Sequence, residues 1–295
     1  MTLMKDIVAD TRRMTFGSLQ EQINLVAQPY VANDTTLILD MDTTGITSGM
    51  VLSSGLNVWY VKGGDVGSKT VFVIPGIDNS PSASAGVGDM VFIKPRVTDW
   101  YLFNILNDEI QRMSSPEAGL YKIGQWSVDV DPTYQTYVIP SEVFPVMSGI
   151  IRARYRMPGT EDVWIDIPNK SYKIQMDTGE GIIRLTRNIP SGTEIEFIYK
   201  ASFTQATALT DNIVTTCGLT ASMTDIPMLG AYAKLLTTTE SRRNQVQTQG
   251  DARRAGEVGS GANLTSAQLA ERNYQNRVNE EYVRLVSRNP ILRSL

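Results

Sequence analysis

The last 56 residues of the chain, from Glu240 to Leu295, contain nine arginines and no lysine. Within them, residues 264–288 have the pattern of one long polar helix, about 37 Å in length at roughly 1.5 Å per residue. Its apolar positions recur every three or four residues and form one narrow line: Ala267, Ala270, Tyr274, Val278, Tyr282 and Leu285. Such a line is typical of a seam between packed helices. We therefore predict that this helix docks on a neighbour, in this chain or in another copy.

The arginines of the same segment also favour an interface. Arginine pairs with carboxylates in a planar, bidentate geometry that lysine does not offer. The predicted interface residues combine these arginines with the apolar line: Arg242, Arg243, Arg253, Arg254, Tyr274, Val278, Tyr282 and Leu285. Simple solvation of the four arginines is the alternative.

The chain has no histidine and a single cysteine, Cys217. Ser-His-Asp and Cys-His catalysis and His-ligated zinc are therefore excluded, and Cys217 is expected to be a small buried filler. Lack of a disulfide fits assembly in a reducing cytoplasm. The N-terminus has no signal-peptide pattern and no stretch approaches the ~18 apolar residues of a membrane span, so we predict no membrane partner.

Net charge is unevenly distributed along the chain. The whole chain carries −4, whereas the last 56 residues carry nine arginines against Glu240, Asp251, Glu257, Glu271, Glu280 and Glu281. That segment is therefore at +3 and the remainder at −7. An acidic body argues against a nucleic-acid-binding surface over most of the chain.

Hydrophobic periodicity predicts helices before, between and after two β-rich regions. Five short apolar segments between Gln22 and Lys94, cut by glycine and proline turns, predict a small barrel. Seven more segments between Ser127 and Phe203 have the spacing of a sandwich. Asp99 and the pair Asp225-Ile226 begin helical patterns.

The predicted fold class is α+β: a helical bundle core with two inserted antiparallel β modules, a small barrel and a β-sandwich, and a long C-terminal helix. The predicted domains are an N-terminal helix (1–18), the small β-barrel (19–97), a helix of the bundle core (98–117), the β-sandwich (118–222), a second core helix (223–249), and a linker with the C-terminal docking helix (250–295).

Several constellations have a catalytic or ligand-binding interpretation beside a structural one. Asp40 and Asp42 suggest calcium, but the remaining EF-hand ligands are missing, so a turn at a strand end is favoured. Asp129 and Asp131 suggest a glycosidase pair, but a polar strand end is favoured. The glycine-rich segments 63–68 and 86–89 run into strands rather than helices, so they are predicted to be turns, not phosphate loops. We predict no catalytic residue, cofactor or metal, and not an enzyme.

Two sets of surface residues leave alternatives open. Arg152, Arg154 and Arg156 alternate with apolar residues and share one strand face, which is a solvated face, a subunit contact or, least favoured, a contact to DNA phosphate. Trp126, Tyr134 and Tyr137 either fill a core or stack on sugar rings.

The segment from Trp59 to Arg96 resembles a module of tailed-bacteriophage head-to-tail connector (adaptor) proteins. The matching parts follow one another in the family's order: Val61, Gly63-Gly64, Val71 to Ile74, Gly76, Ser80 to Ala85, Gly88-Asp89-Met90-Val91 and Pro95-Arg96. Further segments resemble the family's helices and linker: Asn104 to Glu109 with Ile110, Ser115-Pro116 to Ile123, Asp225-Ile226-Pro227 with Leu229-Gly230, and Asp251 through Glu257-Val258 to Gly261-Ala262.

The resemblance implies a structural virion protein that forms a dodecameric homo-oligomeric ring in the head-tail neck, assembled in the host cytoplasm. Its implied partners are the portal protein, a downstream tail or stopper protein, and genomic DNA passing through the lumen without sequence-specific binding. An acidic lumen would repel phosphate and let DNA slide. The alternative is another tail or baseplate protein with a carbohydrate-binding β-sandwich.

Overall fold

A computed structural model of the chain describes residues 2–17, 21–115, 118–130, 136–139, 150–156, 159, 163–177, 180–186, 189, 193–249 and 262–288. For 169, 176, 177, 180, 239–249 and 262–264 the description is of the backbone alone. The chain divides into two compact units. Unit 1 comprises Met1–Ile110 and Gln205–Tyr274, and unit 2 comprises Gln111–Thr204 and Gln275–Leu295.

Unit 1 contains a six-stranded antiparallel sheet. Its strands are β1 (Gln22–Leu25), β2 (Thr36–Ile38), β3 (Val51–Ser54), β4 (Asn57–Asp65), β5 (Thr70–Pro75) and β6 (Met90–Ile93), in the spatial order β1-β6-β3-β4-β5-β2. A bridge between Val26 and Leu39 joins the chain just beyond β1 to the chain just beyond β2, so the sheet curves back on itself. Trp59, which is fully buried, lies edge-on to Tyr30 inside it.

Unit 2 contains two smaller antiparallel sheets. The strands are β7 (Lys122–Asp129), β8 (Thr136–Val138), β9 (Ile150–Arg156), β10 (Trp164–Ile167), β11 (Tyr172–Asp177), β12 (Glu180–Leu185) and β13 (Glu194–Ala201). One sheet has the order β10-β9-β13-β7 and the other β11-β12-β8. Their inward residues share one apolar core, to which Tyr137 and Ile183 come from one sheet and Ala153 and Phe197 from the other.

Four α-helices occur among the described residues: α1 (Met4–Phe16), α2 (Asp99–Met113), α3 (Ile226–Gln249) and α4 (Ala262–Arg288). In unit 1, α1 packs against α3 and buries Met4, Ile7 and Val8. Pro227 stands in the first turn of α3, where its missing N–H removes no intrahelical hydrogen bond.

The predicted fold class was wrong in placing a helical bundle at the centre. The described residues form thirteen strands in three antiparallel sheets and only four helices, so the fold is mainly β. The helices flank the β regions along the sequence, which suggested that they reunite as the core. Period-two burial instead gives each β region its own apolar core, as in β9, where Ile151, Ala153 and Tyr155 point inward.

Candidate functional site

The apolar line predicted on α4 is present, and most of it is covered by the chain itself. Tyr274, Val278 and Leu285 are buried, as are Ala267 and Ala270. Tyr282 remains 42% exposed. Of the apolar residues predicted to contact another molecule, Tyr282 alone is therefore open to solvent, and the interface itself stays a prediction.

Tyr282 rests partly on Gly119, within unit 2. Gly119 has φ +68°, and a Cβ there would lie 3.2 Å from the Tyr282 ring, so glycine suits both the backbone and the close approach. Burial, followed by the effect of the neighbouring Tyr282, raises the pKa of Tyr121.

The exposed part of Tyr282 adjoins Val283 and Val286, which are 65% and 44% exposed. These three residues form an apolar surface at the end of α4, called here the α4 patch.

The four predicted interface arginines are not placed by the structure. Arg242 and Arg243 belong to α3, of which the backbone alone is described at that point, and Arg253 and Arg254 lie outside the described residues. Two of the arginines described on α4 bond within the helix. Arg277 and Arg284 both donate to Glu281, at 2.9 and 2.6 Å, and this carboxylate is almost fully buried.

A cleft of about 580 Å³ lies between α2, α3 and α4 within unit 1. Its polar lining includes Tyr101, Asn104 and Asp108 from α2, Lys234 from α3, and Glu271 from α4. Acidic and basic groups are therefore mixed on its walls, and no charge sign dominates it.

An ion pair with one buried partner lies beside the cleft. The side chain of Glu109 on α2 is 0% exposed and its Oε1 lies 2.6 Å from Nζ of Lys234 on α3. The carboxylate occupies the space above Gly230, one turn before Lys234. A Cβ at Gly230 would lie 2.8 Å from Cδ of Glu109 and closer still to Oε2. Gly230 is thus the residue that lets a charged side chain enter between the two helices.

Asn107, also on α2, fixes a distant loop. Its amide donates to the carbonyl of Ala206 at 3.0 Å, and its carbonyl accepts from the N–H of Ala206 at 2.9 Å. Asn107 is 6% exposed, so both backbone groups of Ala206 depend on it. One side chain therefore anchors a loop that follows about a hundred residues later in the chain.

Arg12 ties α1 to the start of α2. It bonds Glu21 at 2.7 Å, Asp99 at 2.6 Å and the carbonyl of Val97 at 2.9 Å, and lies over the ring of Phe92. Burial raises the pKa of Asp99, an effect that the Arg12 guanidinium opposes. These contacts make Arg12 a structural residue of unit 1.

The three arginines of β9 pair with carboxylates of the two neighbouring strands. Arg152 holds Asp166 of β10 through two hydrogen bonds of 2.5 and 2.9 Å, Arg154 pairs with Glu196, and Arg156 lies 2.8 Å from Glu194. Arg154 also covers the ring of Trp164 at 4.5 Å. The Arg152 hydrogen bond lowers the pKa of Asp166. We call this set the charge ladder; its guanidinium groups are already neutralised within the sheet.

The acidic and glycine-rich motifs have the structural roles that were favoured for them. Asp42 accepts from the N–H and the hydroxyl of Thr44 in a turn beyond β2, and these bonds lower its pKa. Asp129 ends β7, and Asp131 lies outside the described residues. Of the glycine-rich segment 63–68, residues 63–65 still belong to β4 and pair with β5, and the hairpin turn follows them; residues 86–89 precede β6. Cys217 is buried.

The aromatic residues considered for sugar binding are mainly inside the sandwich. Tyr137 is 7% exposed, and Trp126 stacks on Phe197 with 5.2 Å between ring centroids. Tyr134 lies outside the described residues. Trp126 and Tyr137 therefore do not form an exposed stacking platform.

In the part of the chain that the structure describes, no group of three or more His, Cys, Asp or Glu side chains is arranged to hold a metal ion. None of the described helices has the length and apolarity needed to cross a membrane.

Sequence reasoning missed the structural role of Glu109, Lys234 and Gly230. The signal available was a glycine inside a strongly helical pattern, which costs about 1 kcal/mol relative to alanine and therefore suggests a packing reason.

No protein-family model matches the chain, and no curated protein is significantly similar to it.

Proposed function

We propose that this chain is a structural subunit of the head-tail neck of a tailed bacteriophage, an adaptor that forms a ring between the portal and the tail. The observation that carries the proposal is a contact between two of the resembling segments, which are far apart in sequence and meet in unit 1. Glu109, from the segment 104–110, lies against Gly230 of the segment 225–230. Two segments that resemble one family and pack on one another support the resemblance of this part of unit 1.

Exposed apolar surface supports an assembly role. On the outer face of the six-stranded sheet of unit 1, Tyr60 pairs across the strands with Ile74, and Phe72 lies two residues before Ile74 on β5. These side chains are 38%, 39% and 45% exposed. The α4 patch is a second such surface. Contiguous apolar patches on a folded protein are characteristic of sites that contact other proteins.

In the proposed ring the portal lies on one side, the tail or stopper protein on the other, and DNA passes through the lumen. The body of the chain outside the last 56 residues is acidic, at −7, which suits a conduit that does not hold phosphate. The proposed role is non-enzymatic. In support of that, the carboxylates of the charge ladder are engaged by arginines, and Asp42 is engaged by Thr44.

Reconstitution tests the proposal. The purified chain is mixed with portal rings of the same phage and examined by native mass spectrometry, with Val283→Asp as the interface variant and Val87→Asp, at another valine that is 64% exposed, as the matched control. We expect a defined ring of copies on the portal for the wild type and the control, and at least tenfold weaker association for Val283→Asp. Absence of any complex between wild-type chain and portal contradicts the proposal.

A further inference from the structure

Within the described residues, the four-stranded sheet of unit 2 has two open edges. There β7 pairs only with β13, and β10 pairs only with β9. β7 runs for eight residues in unbroken register and contains no proline. An unpaired strand edge of this length presents a row of backbone donors and acceptors that another strand can complete.

The hydrogen-bond pattern identifies which residues face these edges. Val130 donates to the carbonyl of Thr193 at 2.8 Å, so the inward residues of β7 bond β13, because antiparallel residues alternate between the two sides. The outward residues of β7 therefore point their N–H and C=O groups to the open edge: Ile123, Gln125, Ser127 and Asp129. The same alternation continues from β13 to β9 and from β9 to β10. In β10 it directs the N–H and C=O groups of Trp164 and Asp166 to the open edge.

The two edges therefore match. Both offer the backbone groups of outward residues, and β7 and β10 run in opposite directions because the sheet has an even number of strands. If β10 of one molecule lies beside β7 of the next, the sheet continues antiparallel and every inward side chain stays inward. A sheet with an odd number of strands would not have this property.

The inner face is incomplete at both edges. Trp126 and Val128 on β7 and Ile165 on β10 are apolar, inward and only partly buried against the core. Pairing of β7 with β10 of a neighbour covers all three. A twofold pairing of β7 with another β7 is also antiparallel, but it leaves Ile165 at the other edge uncovered.

We infer that copies of this chain associate head to tail through their sheet edges, β7 of one against β10 of the next. The contact is heterologous, which is the kind that closes rings. The inference rests on the proposed function, since a ring requires a repeated contact between copies, and it names the surface that supplies that contact.

Blocking the β7 edge tests the inference. Gln125→Pro removes one N–H that faces the open edge and none that bonds β13, and the preceding Gly124 tolerates the restriction that proline imposes. Gln125→Thr is the matched control, since it keeps the N–H. We expect sedimentation analysis, alone and with portal rings, to show at least tenfold weaker association between copies for Gln125→Pro only.

Cysteine crosslinking supplies a second measurement that does not depend on tolerance of proline. Gln125 and Asp166 are exposed, and residues paired across antiparallel strands lie within disulfide range. The native Cys217 is buried. Under copper-phenanthroline oxidation, the double variant Gln125→Cys/Asp166→Cys, or Ser127→Cys/Asp166→Cys for the adjacent register, is expected to form a ladder of covalent oligomers, and each single variant none.

The remaining outcomes separate this inference from the proposed function. Crosslinking of Gln125→Cys alone indicates twofold pairing of β7 and overturns the inference. The inference is also overturned if wild-type copies associate, Gln125→Pro does not weaken that association, and the double cysteine variants form no covalent oligomers. In that case the ring proposal still stands. A wild-type chain that stays monomeric at all concentrations, with and without portal, overturns both.

Discussion

In unit 1 a carboxylate is buried between two helices, whereas in unit 2 the carboxylates lie along the outer face of a sheet beneath a row of arginines. Glu109 is fully buried and reaches Lys234, which lies far away in sequence. In the charge ladder, Asp166 and Glu196 pair with arginines on adjacent strands, and the side chains of Asp166 and Arg152 are 47% and 42% exposed.

The two arrangements differ in how much the loss of an ion-pair partner reduces the free energy of unfolding. A buried charge that loses its partner is penalised strongly, by roughly 3–5 kcal/mol, whereas exposed pairs contribute about 0–1 kcal/mol each. The contacts of Glu109 and Asn107 therefore specify how α2, α3 and the loop at Ala206 pack. The charge ladder mainly keeps one sheet face soluble and in register.

The largest effect is expected at Gly230. Helix propensity alone would make Gly230→Ala stabilising by about 1 kcal/mol. Because the new Cβ would displace the Glu109 carboxylate from Lys234, we expect a net destabilisation of roughly 2–4 kcal/mol, measured by urea unfolding.

The control is the same change in a Glu109→Ala background. There the obstructing carboxylate is absent, so Gly230→Ala is expected to be neutral or stabilising. An equal loss of stability in both backgrounds would show that Glu109 is not the cause.

A smaller loss is expected at Asn107. Asn107→Leu leaves the N–H and C=O of Ala206 buried without their partner, which costs about 2–3 kcal/mol. Hydrogen-exchange mass spectrometry should show faster exchange in the peptide around Ala206. Asn104→Leu, on the same helix, is the control and should leave that peptide unchanged; similar exchange in both variants contradicts the assigned role.

In unit 2 the coupling between Arg152 and Asp166 should be weaker, because both side chains are more than 40% exposed. A double-mutant cycle with Arg152→Met and Asp166→Asn is expected to give about 1 kcal/mol or less, decreasing as salt is added. The Glu109–Lys234 pair should be less sensitive to salt because one partner is buried. Equal coupling energies and equal salt dependence would remove the contrast between the units.

The smallest effects are those of pH, and they have opposite signs in the two units. The pKa of Asp166 is lowered by Arg152, so its contribution to stability is present above its ordinary pKa of 3.8 and is lost as the pH falls through the folded-state pKa. The pKa of Asp99 is raised by burial, so its contribution is present below 3.8 and is lost as the pH rises through its folded-state pKa.

Two asparagine variants separate the pH-dependent contributions of Asp166 and Asp99 to stability. Asp166→Asn should flatten the loss of hydrogen-exchange protection in unit 2 under acid, and Asp99→Asn should remove a stabilisation of unit 1 that grows as the pH is lowered. Because Asp166 and Arg152 are largely exposed, solvent screening keeps the first effect small. Identical pH profiles for wild type and variants would contradict both assignments.

The sequence predicted local features better than the contacts between distant segments. Alternation along β9 placed Arg152, Arg154 and Arg156 on one face, but their partners depend on which strands become neighbours. Spacing on α4 predicted the apolar line through Tyr274, although periodicity does not say what covers it. The role of Gly230 became evident only when Glu109 was seen against it.

The prediction of the fold class was wrong for a related reason. Helical stripes are visible in the sequence, but the sequence order of helices does not determine whether they form the centre of the molecule. Strand pairing over long separations, such as Val26 with Leu39 or β7 with β13, is what encloses the cores. The interface residues Arg253 and Arg254 lie outside the described residues and stay a prediction.

An electron cryo-microscopy map of the intact phage particle tests the proposed function most directly. We expect density for this chain as a closed ring between portal and tail, with a continuous antiparallel sheet passing from β7 of each copy to β10 of the next. A neck that lacks the chain, with the chain located elsewhere in the particle or absent from it, would contradict the proposed function.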